Sequence, residues 1–180
     1  MKNYSKFDTI LEKCIYILSD NGFISLNNNN KSYIACDAKN DKALSLLKNI
    51  TGFGGLLVHS LAMLIKLVDN VPEYVYDIYE QNNGTLTFIF PEPKKFLNKK
   101  VLIKNGNLAI TVTSLSFFKE LCSVYQKPLF YKLTDIKTLT QIEKDLLPIY
   151  RITKNIETSN HITFIKVISD EYFLTKTLKI

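Results

Sequence analysis

The stretch that decides the fold of this chain is Val71–Phe90, VPEYVYDIYEQNNGTLTFIF. Pro72 suits the first turn of a helix, because its ring fixes φ and the N–H that it lacks has no helical partner there. Gly84 indicates a turn, and the run that starts at Thr85–Thr87 has the β-branched and aromatic residues typical of a strand. The stretch therefore predicts a helix, a turn and a strand, in that order.

Asn107–Asp135 continues the pattern with a predicted strand, helix and strand. Leu108–Val112 is the first of these strands, and the second follows Pro128. Between them, apolar residues at helical spacing predict a helix that Ser114 or Ser116 could cap. The buried stripe of that helix is expected to contain Phe117, Phe118, Leu121, Cys122 and Tyr125.

The N-terminal part predicts a helix followed by two strands. The helix is expected to stop at Asn21-Gly22 in a left-handed turn. Phe23–Leu26 and Ser32–Ala35 are predicted strands, and Asn27–Asn30 is a predicted loop between them. The apolar face of the helix is expected to comprise Phe7, Ile10, Leu11, Cys14 and Leu18.

A second helix and a third strand are predicted next. Asn40 is expected to cap a helix that ends at Lys48, because its side-chain oxygen can accept from the free amides of the first turn. A glycine-bearing loop, Gly52–Gly55, then leads to the predicted strand Leu56–His59. Ser60 is expected to cap a short helix after that strand.

The C-terminal part predicts a helix over Thr138–Leu147 and a hairpin of two strands, Ile162–Ile168 and Tyr172–Leu178. Strands that alternate with short helices indicate an α/β (α+β) fold with a mixed, twisted sheet. With 180 residues, of which 46% are hydrophobic, the chain can bury one sizeable core. We therefore expect a single domain over residues 1–180.

The composition argues against several classes of protein. The longest apolar stretch, Leu56–Val68, is interrupted by polar residues and is shorter than the roughly 20 residues of a membrane-spanning helix. The N-terminus, MKNYSKFDTI, has no apolar signal-peptide core. The cysteines are widely spaced and indicate neither a disulfide framework nor a zinc site: Cys14, Cys36 and Cys122. We expect a cytoplasmic protein with no metal and no membrane partner, whose net charge of +6 permits phosphate ligands.

Several segments together resemble one known family. Asn21–Ala38 (NGFISLNNNNKSYIACDA) is similar to its Pro-Thr-Asp-Thr segment, and Lys48–His59 (KNITGFGGLLVH) to its Lys-x-Arg-Pro-x-x-Lys-Pro-Leu-x-Val-His segment. The residues that match best are Gly22, Ala35, Asp37, Ala38, Leu56, Val58, Gly84, Leu86, Thr87 and Pro128. The chain thus resembles the YrdC-like (YrdC/YciO/YwlC) threonylcarbamoyl-AMP synthase family. The resemblance implies a YrdC-like domain, with a twisted sheet flanked by helices and a concave ligand face.

The resemblance also implies a reaction, the condensation of threonine, bicarbonate and ATP into threonylcarbamoyl-adenylate for transfer to tRNA. Such a site needs converging cations and hydroxyls to position a triphosphate and a carboxylate. Family cations are replaced here by Ile50, Gly54 and Thr111, so we expect little or no synthase activity. On the family pattern the nucleotide cleft would contain Lys48, His59, Asn30, Thr111, Thr134, Asp135 and Thr163.

The retained residues also have structural interpretations. Lys48 ends a predicted helix, where lysine is commonly a solvated charge. His59 on an apolar strand is commonly a core histidine, and the glycines of Gly52–Gly55 could expose amides to a phosphate or only shape the loop. Asp135 next to a phosphate would repel it.

A lysine cluster within residues 94–104 is the second candidate site. It could attract the phosphates of structured, double-stranded RNA without reading the sequence, or it could be a solvated hairpin. Only Phe96 lies among the lysines, which argues against a base-stacking platform. The cluster comprises Lys94, Lys95, Lys99, Lys100 and Lys104.

The sequence therefore predicts a YrdC-like domain that binds a nucleotide or RNA such as tRNA, as a noncatalytic relative in translation or tRNA modification, with no tightly bound cofactor. One alternative is an active synthase that uses ATP with Mg²⁺, in which Lys31 or Lys132 replaces a missing cation. Another is a platform for a protein partner. We expect Thr111 and the Leu133–Asp135 end to face the same cleft as Lys48.

Overall fold

The computed structural model of the chain describes residues 9–28, 31–91, 93–135, 137, 149–152, 161–168 and 172–179. Within these ranges, nine strands and five α-helices follow one another along the chain. The strands are β1 (Phe23–Asn28), β2 (Lys31–Asp37), β3 (Phe53–Val58), β4 (Thr85–Phe90), β5 (Leu108–Val112), β6 (Leu129–Asp135), β7 (Ile149–Ile152), β8 (His161–Val167) and β9 (Tyr172–Lys179). The helices are α1 (Ile10–Ser19), α2 (Asp41–Lys48), α3 (Leu61–Ile65), α4 (Glu73–Gln81) and α5 (Ser116–Tyr125).

The described strands form one mixed sheet in the order β7-β1-β2-β6-β3-β5-β4-β8-β9. The pairs β1 with β7, β3 with β5 and β4 with β8 are parallel. The remaining neighbours are antiparallel, among them β6 with both β2 and β3. The predicted mixed sheet flanked by helices is therefore confirmed.

The sheet separates two apolar cores, because alternate residues of a strand point to opposite faces. We call the side that carries α2, α3 and α4 the first face, where Leu47 of α2 packs in one cluster with Ile110 and Phe130. The second face carries α1 and α5, and there Phe118 of α5 shares a cluster with Tyr131. This alternation decides which polar residues can share a surface.

Local sequence signals place the helix ends. Thr9 and Glu12 form a reciprocal capping box at the start of α1, with hydrogen bonds of 3.1 and 3.0 Å. After α1, Asn21 has a left-handed φ of 62°, which asparagine adopts more readily than most residues. The Asn40 side chain accepts from the Ala43 N–H at 3.1 Å, so the predicted cap of α2 is confirmed.

The order of elements from α4 to β6 agrees with the prediction, but several boundaries differ. Asn27 and Asn28 pair with Ser32 and Lys31, so they extend β1 and the predicted four-asparagine loop is wrong in its first half. Gly54 belongs to β3, not to a loop before it, because its lack of a side chain fits the close approach of β6 described below.

The predicted cap of α5 is also wrong. Leu115 occupies the N-cap position, and no side chain there accepts a hydrogen bond from the first turn. Ser114 instead lies with its Oγ 2.8 Å from Thr85 Oγ1, which joins the end of β5 to the start of β4. Ser116 is the first residue of the helix itself.

The C-terminal hairpin is confirmed, since β8 and β9 pair in antiparallel fashion. The predicted helix Thr138–Leu147 and the predicted apolar residue Phe7 lie outside the described residues. None of the described helices has both the length and the apolar character required to cross a bilayer.

Candidate functional site

A cleft of about 590 Å³ opens on the first face, where the end of α2, the start of β3, strand β6 and the segment 100–103 meet. Three lysines lie around it: Lys48, Lys100 and Lys132. Its glycines are Gly52 and Gly54, and its apolar lining consists of Phe53, Val101, Leu102, Ile103 and Phe130. The described lining is therefore cationic and apolar, without a carboxylate.

Lys132 is the cation that the strand itself supplies. It follows Phe130 by two residues on β6, so both point to the first face, and its Nζ donates to the Gly52 carbonyl oxygen at 3.2 Å. Burial lowers the pKa of Lys132 below its ordinary value, and the charge of Lys48 lowers it further. The two ammonium groups thus act on each other across the cleft.

Lys48 stands at the last position of α2 with its side chain exposed. Within the described part of the chain, neither Lys48 nor Lys132 forms an ion pair with a carboxylate. An anion that entered the cleft would meet two uncompensated positive charges.

Lys100 differs, because it already has an acidic partner. Its Nζ binds the Asp41 carboxylate at the start of α2, and Asn98 donates to the same carboxylate at 3.0 Å. The hydrogen bonds from Lys100 and Asn98 lower the pKa of Asp41. Lys100 therefore ties the cleft wall to α2 and contributes less free positive charge.

The glycines make room for β6 and for Lys132. A Cβ on Gly54 would lie 2.8 Å from both the Lys132 Cδ and the Tyr131 carbonyl oxygen. Gly52 has a φ of +127°, and a Cβ there would lie 2.1 Å from the Leu133 carbonyl oxygen. Both positions require glycine if Lys132 is to reach its place in the cleft.

Thr111 does not belong to this cleft, and the prediction that it faces the same cleft as Lys48 is wrong. Its neighbours Ile110 and Val112 point to the first face, so Thr111 points to the second. The Thr111 hydroxyl lies 2.8 Å from Thr87 Oγ1 and 2.7 Å from the Tyr131 hydroxyl. With 1% of its surface exposed, Thr111 is part of a buried hydroxyl chain.

His59 is also distant from Lys48 along the sheet. It follows Val58 at one end of β3, whereas the cleft is formed at the other end of that strand. The pKa of His59 is lowered by partial burial, then by the charges of Lys119 and Lys66. His59 therefore lies near lysines outside the cleft.

The other predicted cleft residues divide in the same way. Thr134 is nearly buried and lies two residues beyond Lys132 on β6, hence on the same face, close to Gly52. Asp135 forms an exposed ion pair with Lys31 at 2.8 Å. Thr163 lies on β8, four strands from β6 and so roughly 19 Å away at the usual strand spacing. Asn30 lies outside the described residues.

The lysine cluster is dispersed over a turn. Lys95 and Lys99 are exposed, Lys94 is half-buried, and Lys100 is paired with Asp41. The side chain of Lys104 lies outside the described part of the structure. Of the four lysines whose side chains the structure describes, Lys95 and Lys99 thus offer exposed positive charge.

The sequence predicts no part for Lys132 in the nucleotide cleft and gives it a role only in the synthase alternative. A signal for it exists in LFYKLTD, where a lysine interrupts a buried, apolar strand. Such a residue is rare unless its charge is used or solvated. Among the described residues, no group of three or more His, Cys, Asp or Glu side chains could hold a metal ion.

One family model and several solved structures match this chain. The sequence profile of the Sua5/YciO/YrdC family, described as "Telomere recombination", matches residues 19–140. No curated protein sequence matches the chain at a significant level. Among solved structures, Escherichia coli YciO is similar with a TM-score of 0.70 and 13% identity, over 95% of this chain and 90% of YciO.

Two larger proteins contain a similar domain. Sua5 of P. abyssi, solved in complex with L-threonine, has a TM-score of 0.67 and 10% identity, over 87% of this chain and 50% of Sua5. Full-length HypF in its phosphate- and nucleotide-bound form has a TM-score of 0.65 and 11% identity, over 86% of this chain and 27% of HypF. This chain thus spans about half of Sua5 and about a quarter of HypF.

Proposed function

The chain belongs to the Sua5/YciO/YrdC family, and from that premise we propose that it binds a nucleotide in the Lys48–Lys132 cleft, with little or no synthase activity of its own. The function would be related to tRNA threonylcarbamoyladenosine modification or translation. The observation that carries the proposal is a pair of lysines that form no ion pair with a carboxylate of the described residues and that lie beside an apolar wall.

The charges of the two lysines favour an anion in the cleft. Burial and the charge of Lys48 both disfavour the protonated form of Lys132, so a phosphate between the two lysines would relieve a repulsion as well as gain new hydrogen bonds. Each charge-assisted hydrogen bond contributes about 1.5–3 kcal/mol. The apolar lining at Phe130 and Val101–Ile103 would receive the base or ribose. A nucleotide has this combination of a compact anion and a flat, partly apolar body.

The fold comparison supports the same class of ligand. HypF was solved with phosphate and nucleotide bound, and its structure contains a domain with this fold. Sua5 was solved with L-threonine. These ligands belong to those proteins, and they make a nucleotide or an amino acid the first compounds to test here.

The proposal of little synthase activity rests on three positions. Where the family pattern has cations, this chain has Ile50, which is 7% exposed in the first-face core, Gly54, which must be small, and Thr111, whose hydroxyl is buried. None of the three could be exchanged for a lysine or arginine without disturbing packing. The residues at these three family positions are therefore uncharged and have structural roles.

An active synthase is the alternative, and Lys132 favours it to some extent because it places a second cation beside Lys48. Lys31, the other candidate replacement, is held by Asp135. The described lining residues include no carboxylate that could bind Mg²⁺.

Structured RNA is the second candidate ligand, with the lysine cluster as its site. Lys95 and Lys99 are exposed and could contact phosphates. Lys100 would first have to leave Asp41. Two free lysines give a weak duplex site with a shallow salt dependence.

Calorimetric titration with ATP, AMP and L-threonine tests the proposal. We expect nucleotide binding that falls about 10- to 100-fold on Lys48→Ala and on Lys132→Ala, the equivalent of one charged hydrogen bond each. Lys42→Ala is the matched control, because Lys42 is an exposed lysine on the same helix outside the cleft. Absence of nucleotide binding, or equal loss in Lys42→Ala, would contradict the cleft as the site.

A further inference from the structure

A second surface lies outside the cleft, and we propose that it binds single-stranded nucleic acid by stacking a base on Phe96. The surface, here called the Phe96 patch, comprises Ile65, Lys66, Lys95, Phe96 and Lys99. Phe96 is 69% exposed, the highest value among the large hydrophobic residues of the described chain. The proposal does not rest on nucleotide binding in the cleft.

Two segments are joined to make the patch. Val68 and Pro93 form an antiparallel bridge, and the Lys94 N–H donates to the Leu67 carbonyl oxygen at 3.1 Å. Ile65 lies two residues before Leu67, and Phe96 lies two residues after Lys94. The chain therefore keeps the Cα of each within about 7 Å of the Cα of that bonded neighbour. Ile65 is itself 36% exposed. Two exposed apolar side chains therefore lie in one region.

The turn that carries Phe96 is held on both sides. The Leu97 N–H donates to the Lys94 carbonyl oxygen at 3.1 Å, and Leu97 packs against the first-face core. Beyond it, Asn98 donates to Asp41 and Val101 is buried. An aromatic ring that projects from a fixed turn loses little conformational freedom on binding, which favours a recognition role over a mobile surface residue.

Lysines outnumber acidic residues around the ring. Lys66, Lys95 and Lys99 are exposed, and on the described part of these two segments the nearest acidic residue is Asp69, beyond the bridge. The nearby Asp41 carboxylate is already paired with Lys100. Lysines beside an exposed ring form the combination that binds single-stranded nucleic acid, with ammonium groups on phosphates and the ring on a base. The exposed Phe96 ring thus gives the lysine cluster a group on which a base can stack. The spacing of aromatic residues in the sequence alone does not predict this.

Single strands fit this surface better than duplexes or membranes. A duplex keeps its base faces stacked inside, where Phe96 could not reach them. A membrane is less suitable, because even a single myristoyl chain gives only marginal binding of roughly 10⁴ M⁻¹. Phe96 and Ile65 together expose less apolar surface than such a chain.

Fluorescence anisotropy with a labelled 12-nucleotide oligo(U) at low salt tests the proposal. We expect Phe96→Ala to weaken binding roughly 5- to 150-fold, the range of one base stack, and Phe96→Tyr to restore it. Phe96→Leu keeps an apolar side chain but has no ring, so it should bind as poorly as Phe96→Ala. Val124→Ala is the matched control, since Val124 is 54% exposed on α5.

Salt titration adds an independent readout. Lys95→Gln with Lys99→Gln should reduce the slope of log affinity against log salt by about 0.7 for each phosphate of the single strand that the protein no longer neutralises. Phe96→Ala should leave that slope unchanged, and it should leave nucleotide binding in the cleft unchanged. This last measurement separates the two proposals.

The proposal is overturned if oligo(U) does not bind, if Phe96→Leu binds like the unmodified protein, or if an RNA duplex of equal length binds as well as oligo(U). The patch would be assigned to a membrane instead if two results were found together. The protein and its Phe96→Leu variant would both bind anionic vesicles of phosphatidylserine and phosphatidylcholine, and oligo(U) would not bind.

Discussion

Lys132 is a charged residue in a mostly buried strand, and it has a role beyond the packing of that strand. It stands in β6 between residues that are buried, and its aliphatic stem lies against Gly54 while Nζ reaches the Gly52 carbonyl oxygen. A strand residue at this position would ordinarily be apolar. Burial and the charge of Lys48 both disfavour its protonated form, which is the arrangement expected where an anion binds.

The pKa of Lys132 gives the first prediction. Because the folded-state pKa is lowered, the cost of a charged Lys132 is present at neutral pH and disappears as pH rises through that pKa toward 10.5. Stability should therefore rise with pH in this window. Lys48→Ala should move the pKa of Lys132 back upward, and the shift can be followed by NMR of ¹³C-methylated lysines. An unchanged Lys132 titration in that variant would show that the two charges do not interact.

Asp37 and Tyr125 form a buried hydrogen bond between β2 and α5. The Tyr125 hydroxyl donates to Asp37 Oδ2 at 2.5 Å, and the Lys39 N–H donates to Oδ1 at 2.7 Å. Burial and then the Asp37 carboxylate raise the pKa of Tyr125 above its ordinary value. The pair ties the second-face helix to the sheet.

The second prediction tests this pair by a double-mutant cycle. Asp37→Asn should lower the free energy of unfolding by about 1.5–3 kcal/mol, the range for a hydrogen bond to a charged group. Tyr125→Phe should remove part of the same energy, with a coupling of about 0.5–3 kcal/mol in urea denaturation. Lys127→Gln should cost at most about 1 kcal/mol, because the Lys127 side chain is half exposed and its Nζ lies 3.6 Å from Asp37 Oδ2. Additive effects of the first two substitutions would contradict a direct contact.

At the scale of elements, β3 depends on glycines that bring it close to its neighbours. Gly55 faces Ala109 of β5, with a Cβ expected 2.6 Å from the Ala109 carbonyl oxygen, and Gly54 faces β6. The sequence predicts a glycine-bearing loop here, because glycines commonly mark loops. In the structure these glycines allow close strand packing instead. The sequence alone cannot distinguish this role from loop formation, because the distinction depends on which strands are neighbours.

Gly52 and Gly84 give a matched pair for the third prediction. Gly52→Ala would place a Cβ 2.1 Å from the Leu133 carbonyl oxygen at a φ of +127°, so it should destabilise the fold by at least about 1–3 kcal/mol. Gly84→Ala meets no atom within 4 Å and has no positive φ. It should be neutral or should stabilise by about 0.4–1 kcal/mol through the unfolded chain. Thermal unfolding of both variants measures the difference, and equal melting temperatures would contradict the strained conformation of Gly52.

Over the whole molecule, the sequence predicts the order of elements well and the site only in part. Helix and strand patterns are local, and caps such as Asn40 act within four residues, so the fold from α1 to β6 follows from short segments. The site depends on which face a residue occupies and on which strands are adjacent. Thr111 and Lys48 align with one family site in sequence, yet a single step of strand alternation places Thr111 on the second face.

The last prediction concerns activity of the whole protein. Purified protein given ATP, threonine and bicarbonate should release pyrophosphate at or near background. Two or three missing charge-assisted contacts of about 1.5–3 kcal/mol each would slow turnover by several orders of magnitude even if they are far from additive. Ile50, Gly54 and Thr111 stand at those positions, and each is fixed by packing or by buried hydrogen bonds.

A coupled pyrophosphate assay, with a family synthase of known activity as the positive control, measures this release with and without threonine. Threonine-dependent release that disappears in Lys48→Ala and Lys132→Ala would establish the synthase alternative, since those two lysines would then supply the missing charge. Release at background together with nucleotide binding by calorimetry would leave a family member that keeps the anion-binding cleft and has lost the reaction. The assay thus tests whether Lys132 can replace the missing cation. Lys132 lies on β6, whereas the family's arginine position, at Thr111, lies on β5.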